Sequence, residues 1–278
     1  MLFWITKVYC SKEVSISKKN KLDQYYTKTE IAIYFSKLIK DRYEDDSFIE
    51  PSAGTGSFSK CFEDIISFDL DPKFEGCIKQ DFLAVEDIPE GCVFVGNPPF
   101  GFCSRLAIAF INKCCELKAK AICFILPKTF KKVLFQNNIN RNYKLVYQED
   151  LPRNSFILGN TEYDVPCVFQ IWEHSAEQRD SLDIDISVYF DEVNKTNATH
   201  AIRRVGGQAG KILKGLDHSE STTYFVRMAE DIAEKVTELY PLIKEEASHT
   251  AGVRSITLKE IAHILNNSNK IKKKFHNT

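Results

Sequence analysis

The stretch Val93-Phe94-Val95-Gly96-Asn97-Pro98-Pro99-Phe100-Gly101 decides how the rest of this 278-residue chain is read. Val93 to Val95 are apolar and read as the end of a buried parallel strand. The prolines that follow remove backbone donors and fix φ, so the carbonyls of Gly96, Asn97 and Pro98 point in set directions. Such a loop holds the Asn97 amide and the Pro98 carbonyl toward one small donor, with Pro99 setting the exit and Phe100 as a flat lid. A planar aromatic amine, such as the amino group of adenine, fits that description. Its lone pair is delocalised into the ring. Two acceptors on its N–H groups favour a more tetrahedral nitrogen and stabilise the positive charge that develops during attack. Phe100 stacks on the ring and fixes its plane.

Immediately upstream of that strand the same logic repeats. Phe48-Ile49-Glu50-Pro51-Ser52-Ala53-Gly54-Thr55-Gly56-Ser57-Phe58 reads as a strand, a small-residue turn and a helix. Gly54 and Gly56 let the backbone approach a ligand where a Cβ would collide. The turn is neither a Walker loop nor a G-x-G-x-x-G fingerprint. Ile65 to Asp71 reads as a second buried strand ending in acid, and an acid at that place accepts ribose hydroxyls. Asp69 and Asp71 both qualify; Asp69 is preferred because Asp71-Pro72 reads as the outgoing turn. A third unit, Cys77 to Leu83, presents Asp81 for an adenine amino group and Phe82 for its ring.

Ahead of these units, Tyr25, Tyr26 and Thr27 precede an amphipathic helix from Thr29 to about Arg42, with Thr27 and Glu30 placed as a capping box. Beyond the Asn97 loop, a helix from about Cys103 to Leu117 leads to strands at Ala121–Lys128, Tyr143–Leu151 and Val165–Trp172. Strands alternating with helices predict an α/β fold, Rossmann-like, with a mostly parallel sheet covered on both faces. Every residue singled out falls at the carboxyl end of a strand, where such sheets bind ligands.

The bulk numbers set bounds. Net charge is −1, so a nucleic-acid surface has to come from local clusters. The nine cysteines show no C-x-x-C spacing, which gives no zinc site and suits reduced thiols. The apolar opening Met1–Cys10 is too short for a signal peptide, and no stretch is long enough to span a membrane. The expectation is a protein that is not secreted: cytoplasmic, or nuclear if eukaryotic or viral. Residues 1–22 read as a mobile arm, 23–176 as the catalytic domain and 177–278 as a small C-terminal α+β region for substrate recognition. In that region a charged linker, Glu177 to Asp185, precedes Ile184–Phe190. Helical patterns around Val226–Tyr240 and Thr257–Leu265 then precede a basic tail, Lys270–Lys274. Arg203, Arg204 and Lys211 are interleaved with glycines, which reads either as a phosphate-backbone contact or as a solvated hairpin.

Taken together, the glycine turn at Glu50–Gly56 followed by Asn97-Pro98-Pro99-Phe100 resembles class I S-adenosylmethionine (AdoMet)-dependent amino methyltransferases, most closely gamma-type DNA adenine-N6 methyltransferases. Gln24–Thr27 matches the segment that closes the cofactor pocket in that family, and the resemblance spans roughly Asp23 to Trp172. It implies a seven-stranded methyltransferase sheet and AdoMet as cofactor. Tyr26, Thr27, Glu50, Pro51, Ala53, Gly54, Gly56, Asp69, Asp81, Phe82 and Asn97 would lie around the cofactor. It further implies base flipping and direct in-line transfer to adenine N6 in DNA, with Asn97, Pro98, Pro99 and Phe100 as the catalytic loop. A second aromatic would cover the other face of the base; Phe156 is the expected residue and Tyr163 the competitor. The family usually carries Tyr where this chain has Phe100, which keeps stacking and loses a hydroxyl. The rival readings are an RNA adenine methyltransferase, a protein glutamine methyltransferase and a non-catalytic nucleic-acid-binding partner. Pro166-Cys167 also resembles the nucleophilic pair of cytosine-C5 methyltransferases, but it sits inside a strand-like run.

Overall fold

The computed structural model describes residues 25–275, with side chains as far as Ser268. The expected arm at 1–22, Gln24, and the side chains of Lys270–Lys274 lie outside that description. Among the described residues, thirteen strands and five α-helices follow one another. In the first half these are β1 (Tyr26–Thr27), α1 (Thr29–Arg42), β2 (Phe48–Glu50), β3 (Ile65–Asp69), β4 (Ile78–Lys79), β5 (Val93–Gly96), α2 (Arg105–Glu116) and β6 (Ala121–Pro127). Then come β7 (Tyr143–Asp150), β8 (Phe156–Leu158), β9 (Thr161–Tyr163) and β10 (Cys167–His174). The C-terminal part holds β11 (Asp191–Glu192), β12 (His200–Arg203), β13 (Thr223–Arg227), α3 (Glu230–Glu238), α4 (Tyr240–Ser248) and α5 (Leu258–Phe275).

The main sheet has seven strands in the order β4-β3-β2-β5-β6-β10-β7. Pairing is parallel from β4 through β6, and β10 runs antiparallel to both β6 and β7. The chain works outward from β2 to β4 on one side, then returns to β5 on the other. The sheet therefore switches direction between β2 and β5, which opens a crevice at their carboxyl ends. This is the Rossmann-like, mostly parallel sheet that the strand pattern predicts.

The apolar strands form by burial on both faces, and their alternation decides which helix they meet. On β6, Ile122, Phe124 and Leu126 pack with Ala107, Phe110, Ile111 and Cys114 of α2. The intervening Ala121, Cys123 and Ile125 pack with Ala32, Phe35 and Ile39 of α1. On β10, Val168 and Trp172 join the α2 side while Phe169 and Ile171 join the α1 side, with Phe169 stacked on Phe35 at 4.0 Å. Cys114, Cys123 and Cys167 are core thiols whose pKa burial pushes up. Cys167, the first residue of β10, is buried with a raised thiol pKa, which does not suit a nucleophile.

Several local expectations are corrected. No α-helix follows the glycine turn; a short 3-10 turn at Ser59–Cys61 takes its place. Phe58 and Phe62 are buried against the α1 side, and the chain must reach β3 by Ile65, which leaves no length for a helix. Thr27 is not the cap of α1. It pairs with Phe156 in a small antiparallel sheet β1-β8-β9, Lys28 occupies the cap position, and no side chain caps the helix.

The C-terminal part has its own core, built on Phe190, Ile202, Val226, Val236, Ile243 and Ile261. The segment Ile184–Phe190 contains a 3-10 turn at Ile186–Val188. Val226 belongs to strand β13, and the helical pattern after it is two helices broken before Pro241 at the first turn of α4. The basic tail continues α5 as helix to Phe275. The charged segment after His174 is tied down by Arg179. Its guanidinium donates to the carbonyls of Tyr143, Gln136 and Ile139 and lies over the Trp172 ring. Lys132, between β6 and β7, is buried and pairs with Glu260 of α5, joining the two cores. Among the described residues, no helix is long and apolar enough to cross a membrane.

Candidate active site

A cavity of about 490 Å³ opens where the sheet switches direction. Its walls come from the ends of β1, β2, β3 and β5 and the turns after them, including Tyr26, Thr27, Glu50, Pro51, Ala53 and Gly54. Asp69, Asp81, Phe82, Asn97, Pro98, Pro99 and Phe100 complete the expected set in the same wall. Residues spread from position 26 to position 100 thus converge on one space.

The glycine turn is held by charge and by close packing. Asp69 accepts the Gly54 N–H at 2.7 Å through one carboxylate oxygen and the Asp71 N–H at 2.8 Å through the other. Each oxygen retains a lone pair for a ligand hydroxyl. Gly54 lies at φ +52, and a Cβ there would meet the Tyr26 ring at 2.8 Å. The Tyr26 ring therefore closes directly over the turn. Gly56 serves differently: it lies at φ +78 against the Phe74 ring and does not line the cavity. Asp71 pairs with Lys73 in the outgoing turn, as its position before Pro72 predicts.

Glu50 is buried, and its carboxylate accepts both the main-chain N–H and the hydroxyl of Ser59. Burial pushes its pKa up to about 8, against the pull of the Ser59 hydrogen bonds. It also packs under the Asn97 loop, because a Cβ on Gly96 would lie 3.2 Å from Glu50 Cγ. Glu50 thus braces both loops from beneath. Asp81 accepts the Leu83 N–H at 3.0 Å and stays exposed. Phe82 is buried among Phe68, Phe94 and Phe110 and forms an apolar floor.

The Asn97 side chain has one end satisfied and one end free. Its Nδ2 donates to the Tyr25 carbonyl at 2.9 Å, while Oδ1 is buried and accepts no hydrogen bond among the described residues. Thr27 Oγ1, in the same wall, is likewise buried without a partner among the described residues. A buried acceptor left open normally costs stability, and in this wall both atoms are placed to meet a bound ligand. Phe100 is half-buried and packs against both faces of the sheet core.

The expected second aromatic does not line the cavity. Phe156 is fully buried in the α1-side core and does not line the cavity. As the strand partner of Thr27 it points inward, where burial of an aromatic ring outweighs exposure at a ligand face. Its competitor Tyr163 also stays out of the wall but packs edge-on against Tyr25, with ring centres 5.5 Å apart. Arg203, Arg204 and Lys211, expected as a phosphate-backbone contact or a solvated hairpin, lie apart from this cavity. Arg203 donates to Thr222 Oγ1 at 2.8 Å and Arg204 lies over Tyr224. The glycine at 210 is there because a Cβ would strike Ile243 at 2.1 Å. Conversely, Phe102 lines the cavity and was not foreseen. Its signal was an apolar aromatic that no helical or strand pattern claimed. Among the described residues, no group of His, Cys, Asp and Glu is arranged to hold a metal ion.

An acid at the end of β3, a glycine turn sealed by Tyr26 and a crevice at the switch point define a class I methyltransferase fold. The residues around the cavity fit AdoMet: Asp69 would meet its ribose, Gly54 would allow close approach and Phe82 would lie against its adenine. AdoMet is the cofactor of this fold. A family model described as the EDM2 methyltransferase-like domain matches residues 53–192, half of the chain, and the chain belongs to that family. No curated protein matches the chain. A solved structure of a candidate RNA methyltransferase from Pyrococcus horikoshii is 14% identical with a TM-score of 0.45, covering 59% of this chain and 93% of that one. The 23S rRNA methyltransferase ErmE is 16% identical with a TM-score of 0.40, covering 57% and 74% respectively. A class I AdoMet-dependent methyltransferase from Listeria monocytogenes is 15% identical with a TM-score of 0.42, covering 58% and 64%.

Proposed function

We propose that this domain methylates the exocyclic N6 of adenine in DNA. The observation that carries the reading is the open, buried Oδ1 of Asn97, whose amide is pinned by the Tyr25 carbonyl. In this reading Asn97 Oδ1 accepts one N6 hydrogen and the Pro98 carbonyl accepts the other. The nitrogen lone pair is drawn out of conjugation, and the growing positive charge faces fixed acceptor dipoles. Phe100 holds the ring of a base taken out of its stack. Asp69, Gly54, Thr27 and Tyr26 hold AdoMet, which supplies an electrophilic methyl group when bound. The N6 proton then leaves to solvent, and no side chain becomes covalently attached. Proximity and orientation supply the remainder of the acceleration. The C-terminal part, with its separate core, is the proposed recognition region.

The test is methyl incorporation from labelled AdoMet into unmethylated duplex DNA, single-stranded DNA and total RNA, with nucleosides resolved by mass spectrometry. N6-methyladenine in DNA is expected. The same nucleoside in RNA alone would keep the chemistry and replace the acceptor. A protein that binds AdoMet and methylates no adenine would overturn the reading.

A further inference from the structure

Just past the catalytic loop the backbone takes a costly path. Gly101 turns at φ +68, and a Cβ there would meet Leu106 Cβ at 2.7 Å. Cys103 and Ser104, both bearing side chains, then lie in the left-handed region at φ 52 and φ 60. Such residues cluster at ligand clamps, where surrounding structure holds them in place. Here the hold is visible: the N–H groups of Leu106 and Ala107 both donate to the Phe100 carbonyl, at 3.2 and 3.3 Å.

What this path achieves is to push Phe102 outward. Its side chain lines the cavity mouth and yet is 73% exposed, the most exposed large hydrophobic residue described. Phe100, by contrast, is half-buried and built into the wall. Arg105, the first residue of α2, is exposed, places its guanidinium 6.0 Å from the Phe102 ring centre and makes no ion pair among the described residues. An exposed aromatic beside an unpaired cation at the rim of a base-sized cavity is the arrangement that stacks nucleobases and meets phosphate. The chain's net charge of −1 leaves broad phosphate neutralisation as a minor source of affinity, which gives stacking more weight.

Building on the nucleic-acid reading above, we infer that Phe102 is a stacking platform for an unpaired nucleobase adjacent to the one held at Asn97, with Arg105 beside it contacting the strand's phosphate. The acceptor is then a locally single-stranded segment of nucleic acid. The platform is preorganised, since the turn that presents it is locked to α2 before any ligand arrives.

The test uses the whole chain with short adenine-containing single strands of DNA and of RNA, in the wild type and in Phe102→Ala, Phe102→Trp and Arg105→Ala. Phe102→Ala is expected to weaken strand binding roughly tenfold or more, with AdoMet affinity by calorimetry unchanged. Phe102→Trp is expected to keep binding and to add indole fluorescence that the strand quenches. Arg105→Ala is expected to weaken binding and flatten its salt dependence. Strand affinity unchanged in Phe102→Ala, while the wild type still methylates adenine, would overturn the platform alone. Loss of AdoMet binding without loss of strand binding would also overturn it and make Phe102 a cofactor lid. A wild type that binds no strand and methylates no adenine would overturn the platform together with the reading beneath it.

Discussion

Asn97 and Tyr25 lie 72 positions apart in the chain and are joined by a hydrogen bond of 2.9 Å from Asn97 Nδ2 to the Tyr25 carbonyl. A carbonyl accepts only from the NH2 end of an amide, so this contact fixes the side chain with Oδ1 turned away from Tyr25 and left open. The segment before α1 thereby sets the orientation of the Asn97 amide.

Replacing Asn97 with Ala should reduce methyl transfer by roughly two to three orders of magnitude, the usual loss for one preorganised hydrogen-bonding group at a reacting centre. AdoMet affinity should change little. Asn97→Asp should be equally inactive, because a carboxylate cannot donate to the Tyr25 carbonyl and its orientation is lost. Transfer rates and calorimetry on the same preparations check this; an active Asn97→Ala enzyme would remove the loop from the chemistry.

The glycine turn answers to a different measurement. Gly54→Ala forces a Cβ to within 2.8 Å of the Tyr26 ring at a backbone angle that suits glycine. Asp69→Ala frees the Gly54 and Asp71 N–H groups that its carboxylate holds. Both variants should bind AdoMet at least tenfold more weakly, about the value of one charge-assisted hydrogen bond. The unfolding midpoint should move by only a few degrees, because neither residue belongs to the core.

Glu50 predicts a pH dependence. Its carboxyl titrates near 4.5 when the chain is unfolded and near 8 when folded, since burial disfavours the charge. The folded state therefore holds a proton that the unfolded state has released, and stability falls as pH rises through that interval. Glu50→Gln stays neutral and still offers Ser59 an acceptor. It should match the wild type near pH 5 and exceed it in unfolding midpoint near pH 9. Parallel pH profiles of the wild type and the variant would refute this.

Much of this was legible in the residues themselves. Apolar runs such as Ala121–Pro127, bounded by polar turns, gave the buried strands, and the alternation within them selected the facing helix. Placing Asp69 and Asn97 at strand ends needed only the rule that such sheets bind ligands there. Phe156 was misread because sequence shows that an aromatic follows a turn but not which way its strand is rotated; a shift of one residue reverses its face. Thr27 failed as a cap because pairing with Phe156 competed with local capping and won. In the Arg203–Lys211 stretch the glycine at 210 answers to Ile243, a contact made across the fold that local sequence does not show.

The last prediction concerns how the two cores are held together. Lys132 and Glu260 are 128 positions apart, both are buried, and their charged groups meet at 3.1 Å. Lys132 also donates to the Ser255 carbonyl at 2.9 Å. Glu260 accepts the Thr257 N–H, and its own N–H donates to Thr257 Oγ1, so it closes the capping box at the start of α5. One carboxylate thus begins a helix and anchors it to the catalytic core. Lys132→Met should cost about 3–5 kcal/mol, because Glu260 is left charged and buried without its partner. Lys132→Met with Glu260→Met removes both charges and should recover part of that loss, the remainder reflecting the lost cap. Urea denaturation of the single and double variants measures the coupling. A single variant as stable as the wild type would mean that water already shares this pair and that it does not join the cores.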